Sequence, residues 1–149
     1  MVIVVSAVPA FVTLTDQHWR FTMLCPKCHS EFEQIVFGDI EIDRCTSCKG
    51  LWFDMLEKED LLSIEGSEEI DLGPEQVDPK YAAMRDIECP RCAQTMLAMV
   101  DKDQYHIKFE ACPACYGTFF DAGEFRDLKE HSVLERFNQM IQTISSKFD

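Results

Sequence analysis

A chain of 149 residues with 46% hydrophobic and 28% charged residues has the balance of one ordinary globular domain, which excludes collagen-like, mucin-like and fully disordered classes. Asp and Glu total 27 against 14 Lys and Arg, and the formal charge of −13 opposes polyphosphate partners, whose binding depends on counterion release by basic residues. No apolar run reaches the roughly 18 residues of a bilayer-spanning helix, and Met1 to Leu14 lacks the basic start of a secretory signal, so a cytoplasmic protein without a membrane partner is expected.

Residues 1–22 resemble nothing downstream, and Met23 stands where a translation start would be natural. The segment is either such a start-site extension or a short added strand, Val2 to Val5 or Phe11 to Leu14, packing on one hairpin ribbon. Residues 23–64 open with Cys25-Pro-Lys-Cys28 and reach Cys45-Thr-Ser-Cys48 after 16 intervening residues. Between them, Glu31 to Phe37 and Ile40 to Arg44 flank Gly38-Asp39, and Ile40 and Ile42 alternate with Glu41 and Asp43, which predicts a hairpin. Leu56, Leu61, Leu62 and Ile64 then take helical spacing, and Asp54-x-x-Glu57 has the form of a capping box.

Residues 65–88 carry eight acids against Lys80 and Arg85 and hold Gly66, Gly73, Pro74 and Pro79, the composition of a solvated linker that is mobile at its centre and couples its flanks weakly. Residues 89–130 repeat the first pattern: Cys89-Pro-Arg-Cys92, a hairpin from Thr95 to Val100 and Tyr105 to Glu110, Cys112-Pro-Ala-Cys115, then Asp121-x-x-Glu124 before Phe125 and Leu128. Both copies place a glycine (Gly50, Gly117) two places after the last cysteine, where a positive-φ turn is expected, followed by an aromatic pair (Trp52 and Phe53, Phe119 and Phe120) expected to cover the hairpin. In residues 131–149, Val133, Leu134, Phe137, Met140, Ile141, Ile144 and Phe148 recur at spacings of three and four behind a Ser132/Glu135 capping box, predicting a separate amphipathic helix.

All eight cysteines fall in Cys-x-x-Cys pairs, which serve as disulfide staples, redox dithiols or metal knuckles. Grouping favours metal, because the pairs stand 16 and 19 residues apart across a hairpin, close to the spacing of four-thiolate zinc sites. The expectation is two structural zinc ions, one on Cys25, Cys28, Cys45 and Cys48 and one on Cys89, Cys92, Cys112 and Cys115. Lys27, Lys49 and Arg91 stand where they can offset the thiolate charge, and His18, His29, His106 and His131 read as surface residues. The string C-P-x-C, hairpin, C-x-x-C-x-G-x-aromatic-aromatic-D-x-x-E, present twice, resembles the bacterial zinc-ribbon family named for similarity to the transcription factor IIB zinc finger. Copy two departs from it only in placing Phe119 where copy one has Trp52.

The resulting fold class is small, α+β and metal-bound: two tandem zinc ribbons, each followed by a helix, with a C-terminal amphipathic helix. Four-thiolate zinc is coordinatively full, and no nucleophile motif stands beside it, so a non-enzymatic module for another macromolecule, most naturally a protein, is expected. A nucleic-acid-binding transcription regulator is the alternative, and a thiol-based redox or zinc-sensing switch the second. The last helix offers a homodimer contact, since Lys129, Arg136 and Lys147 balance the tail's acids.

Overall fold

The computed structural model describes residues 2–5, 23–73 and 78–146. Val2–Val5 (β1) pairs antiparallel with Phe32–Phe37 (β2), which forms the expected hairpin with Ile40–Cys45 (β3) around Gly38 at φ 61°. The N-terminal segment thus contributes an added strand, while Phe11 to Leu14 lies outside the described residues. Leu51–Phe53 (β4) returns beside β3 and leads into the short helix Glu57–Ser63 (α1). In the second copy, Leu97–Val100 (β5), Lys108–Ala111 (β6) and Thr118–Phe120 (β7) repeat this order before the helix Glu124–Ser145, and between the copies lie a 3₁₀ turn, Ser67–Ile70, and the short helix Pro79–Ala82 (α2). The long C-terminal helix is α3.

The two ribbons are not separate bodies. Strands β4 and β7 pair antiparallel, Leu51 with Phe120, Trp52 with Phe119 and Phe53 with Thr118, and join both copies in one seven-stranded sheet ordered β1-β2-β3-β4-β7-β6-β5. The register maps onto itself when the copies are exchanged, so they meet as the halves of an isologous dimer would. Phe53 lies edge-on to Phe120 at 5.6 Å and 5.1 Å from Phe125, in a core shared with Ile35, Ile42, Leu61 and Ile70. Trp52 and Phe119 are buried among the cysteines of both copies.

That close approach explains the repeated glycines differently from the turn reading. The positive-φ positions are Lys49 and Tyr116, each at 61°, one residue earlier. A Cβ on Gly50 would stand 2.3 Å from Phe119 Cζ, and one on Gly117 would stand 2.2 Å from Trp52 Cζ2. Each glycine is therefore the bed for the other copy's ring. Gly117→Ala should cost about 1–3 kcal/mol by overpacking a ring that has nowhere to move; a thermal midpoint equal to that of the parent protein would refute the fit.

The segment 65–88 also departs from the expected solvated linker. Ile70, Asp71 and Ile87 are buried, and α2 lies between them, although residues 74–77 fall outside the described set. Asp71 Oδ1 accepts from Gly123 N at 2.7 Å and its Oδ2 from Arg126 N at 3.0 Å, so the linker supplies the anion that caps α3. Arg126 also donates to the Asp71 carbonyl. At its own end α1 is capped from copy two: Lys129 Nζ donates to the carbonyls of Leu61, Leu62 and Ile64 at 3.4, 2.9 and 2.5 Å.

Two capping expectations are corrected. The N-cap position of helix α1 is Leu56, at φ 74° and without a side-chain cap; Glu57 Oε2 accepts from Asp54 N at 2.7 Å, as half of a capping box, while the Asp54 carboxylate is engaged elsewhere. Ser132 does not start a helix: α3 runs unbroken from Glu124, and the Ser132 hydroxyl donates to Leu128 O one turn back.

Candidate metal centres

Local backbone geometry builds each cysteine pair in the same way. The residue after the second cysteine takes a left-handed conformation at all four knuckles: His29 at 59°, Lys49 at 61°, Ala93 at 55° and Tyr116 at 61°. The amides of His29, Ala93 and Tyr116 then donate to the carbonyls of Cys25, Cys89 and Cys112 at 3.0, 2.9 and 3.0 Å. Cys45 N and Cys112 N donate to the carbonyls of Gly50 and Gly117 at 2.8 and 2.9 Å, closing the second knuckle of each copy against the start of β4 or β7.

These turns bring together the sulfurs of Cys25, Cys28, Cys45 and Cys48, and those of Cys89, Cys92, Cys112 and Cys115, each set lying within 4.8 Å. Cys25 Sγ lies 3.7 Å from Cys48 Sγ, and Cys28 Sγ 3.3 Å from Cys45 Sγ. The equivalent separations in copy two are 3.7 Å for Cys89 and Cys115 and 3.3 Å for Cys92 and Cys112. Four thiolates at about 2.3 Å from a tetrahedral zinc ion stand roughly 3.8 Å apart, so each group can hold one zinc ion. The eight cysteines are unpaired by disulfides.

Hydrogen bonding among the thiols separates their proton affinities. The neighbouring sulfurs and burial hold the Cys25 thiol well above the ordinary range, while the same sulfurs draw Cys45 well below it. The protons retained by such a cluster are those a divalent cation displaces, which makes metal affinity rise with pH.

The charged residues of the motif act across the copies rather than beside their own sulfurs. Lys27, in the first Cys-Pro-x-Cys, donates to Asp121 Oδ2 at 2.8 Å and lies 3.1 Å from Glu110 Oε1. Arg91, in the equivalent place of copy two, donates to Asp54 Oδ2 at 2.6 Å. Each knuckle's cation thus finds the acid that follows the other copy's aromatic pair. The repeated glutamates make backbone contacts: Glu124 Oε2 accepts from Lys108 N at 3.1 Å, and burial pushes Glu57 up to about 7 while the Asp54 amide opposes the shift. Of the four histidines, His106 and His131 meet edge to face at 4.8 Å, an approach no sequence spacing signals.

No helix among the described residues is long and apolar enough to cross a membrane. A family profile described as transcription factor zinc-finger matches residues 24–64 and again 88–131. Comparison with curated proteins and with solved structures finds no match. The two matched segments together span more than half of the chain, and each encloses one complete four-cysteine group. With sulfur geometry, repeat and profile in agreement, this is a metal-binding chain that belongs to the transcription factor zinc-finger family and carries its zinc ribbon twice.

Proposed function

We propose that the protein is a non-enzymatic interaction module whose zinc ions are structural and whose partner is another protein. The observation that carries this reading is the far half of α3, where Phe137, Met140 and Ile141 are each about half exposed, whereas Leu128 and Lys129 nearer its start are buried. An exposed apolar stripe on a helix offers a surface for a partner. Four thiolates leave no open metal position for a water nucleophile. Nucleic acid is disfavoured by the −13 charge, which two zinc ions on eight thiolates carry to roughly −17.

The test uses zinc-loaded full-length protein and the double variant Phe137→Glu/Ile141→Glu. Crosslinking should recover a discrete protein partner with the parent chain and lose it with the variant at unchanged zinc content. Anisotropy at physiological salt should give nucleic-acid affinities weaker than about 100 μM. A sequence-specific nanomolar affinity would move the reading to transcription regulation, and equal capture by both proteins would remove α3 from it.

A further inference from the structure

The near-symmetry of the two ribbons fails at the outer edge of the sheet. Cys25 and Cys89 set an offset of 64 between the copies, and the bridges Leu24 to Glu31 and Glu88 to Thr95 keep it, so Glu33, Gln34, Ile35 and Val36 of β2 correspond to Leu97, Ala98, Met99 and Val100 of β5. In copy one that edge is covered: β1 runs antiparallel along it, with Val5 opposite Gln34 and Ile3 opposite Val36, and Val2 packs on the core that buries Ile35. In copy two β5 is the last strand of the sheet among the described residues. Met99 is 41% exposed where its counterpart Ile35 is 0% exposed.

Composition follows the same asymmetry. Copy one places polar Glu33 and Gln34 on its covered edge strand, whereas copy two places four apolar residues on its uncovered one. Leu97 is 53% and Val100 47% exposed. An apolar, unprotected edge is what natural sheets avoid unless something pairs with it. The backbone is ready to do so. Asp101 N donates to Ile107 O at 2.9 Å, so by antiparallel alternation Leu97 and Met99 also face β6, and the N–H and C=O of Ala98 and Val100 face outward. A cavity of about 160 Å³ opens beside the strand, lined by the apolar Ala98, Met99, Val100 and Phe109 with Arg85, Lys108 and Glu110, and has room for an aliphatic side chain.

We infer that β5 is a strand-addition site that receives an extended apolar segment of a partner protein, antiparallel and centred on Ala98 to Val100, as β1 sits on β2. The occupant's chemistry is that of β1 itself, a short run of β-branched residues free of charge, with main-chain hydrogen bonds giving affinity and alternate side chains entering the cavity. The site rests on the protein-interaction reading above but not on α3, so the two fail separately.

The probe is a peptide of residues 1–6 carrying a solubilising Lys-Lys tail, added to ¹⁵N-labelled, zinc-loaded full-length protein. The expected result is a set of amide shifts confined to Leu97 to Val100 and their β6 neighbours, with affinity at least roughly tenfold weaker in Val100→Pro, which loses an outward N–H while leaving the β6 ladder intact. If Val100→Pro fails to retain both zinc ions, Val100→Lys replaces it. Absence of shifts in β5, shifts on β2 instead, or equal binding by the variant would overturn the site. So would a parent chain that is dimeric and becomes monomeric in Val100→Pro, since a second copy would then occupy the edge. Persistence of partner capture that depends on Phe137 and Ile141 in any of these cases would leave the broader reading standing.

Discussion

Cys28→Ser should unfold both ribbons in one step and release both metals, although only the first site is altered. Binding of structural zinc is worth on the order of 10 kcal/mol, comparable with the whole stability of a domain this size, so the first ribbon cannot persist without its ion. The second then loses what the first supplies: β4 beside β7, the Phe53 ring against Phe120 and Phe125, Asp71 at the start of α3, and Lys27 between Glu110 and Asp121. None of these is replaceable by water at equal energy, because Phe53, Asp71 and Lys27 are all buried. Metal analysis of the purified variant should give close to zero zinc per chain against two for the parent, and tryptophan fluorescence and far-UV circular dichroism should report a single transition. A variant that keeps one zinc ion and a cooperative melt would show that the copies are independent.

Independence is what the sequence by itself suggests, and the reason it misleads is physical. Knuckles, hairpins and the duplication are local, so spacing reveals them: Cys25 to Cys48 and Cys89 to Cys115 close their own groups, and Gly38-Asp39 turns its own strands. The interlocking of the copies is not local. It is carried by Gly50 under Phe119, Gly117 under Trp52, Lys27 on Asp121 and Arg91 on Asp54, each pair contributed by motif positions whose partners within their own copy look sufficient. A signal is present in the repeat, since a basic third position in Cys-Pro-x-Cys recurs together with an acid after the aromatic pair. Segment 65–88 carries no such signal, because its buried residues, among them Ser67, Ile70, Asp71 and Ile87, are scattered among polar neighbours, and window composition averages them away. Sequence pattern divides the long α3 at Ser132 because a serine with a glutamate three residues on satisfies the capping motif, and only the hydroxyl's bond to Leu128 O distinguishes an interior serine from a cap.

The reciprocal ion pairs give the second large effect, and the two halves of the pseudo-dimer should answer differently to the same deletion. Lys27→Met keeps most of the stem but removes the ammonium from a side chain that is 0% exposed, leaving Glu110 and Asp121 facing one another without their cation. Breaking a buried pair from one side costs about 3–5 kcal/mol, because the remaining charges stay desolvated. Arg91→Met removes the equivalent partner of Asp54, but that side chain is 49% exposed and water replaces the guanidinium, so about 1 kcal/mol or less is expected. The pH dependence separates electrostatics from packing. Burial already raises the proton affinity of Glu110, and Lys27 opposes that rise. Without Lys27 the folded-state pKa climbs further above the unfolded value, and a group whose folded pKa is raised adds stability below it and loses that stability as pH rises through it. The deficit of Lys27→Met should therefore narrow as pH falls, and Lys27→Met/Glu110→Gln should recover part of it at the alkaline end. Urea denaturation of the zinc-loaded proteins measures both. Equal losses for Lys27→Met and Arg91→Met, or a Lys27→Met deficit that does not change with pH, would show that the buried lysine acts through its packed stem and not through the charge it carries between Glu110 and Asp121.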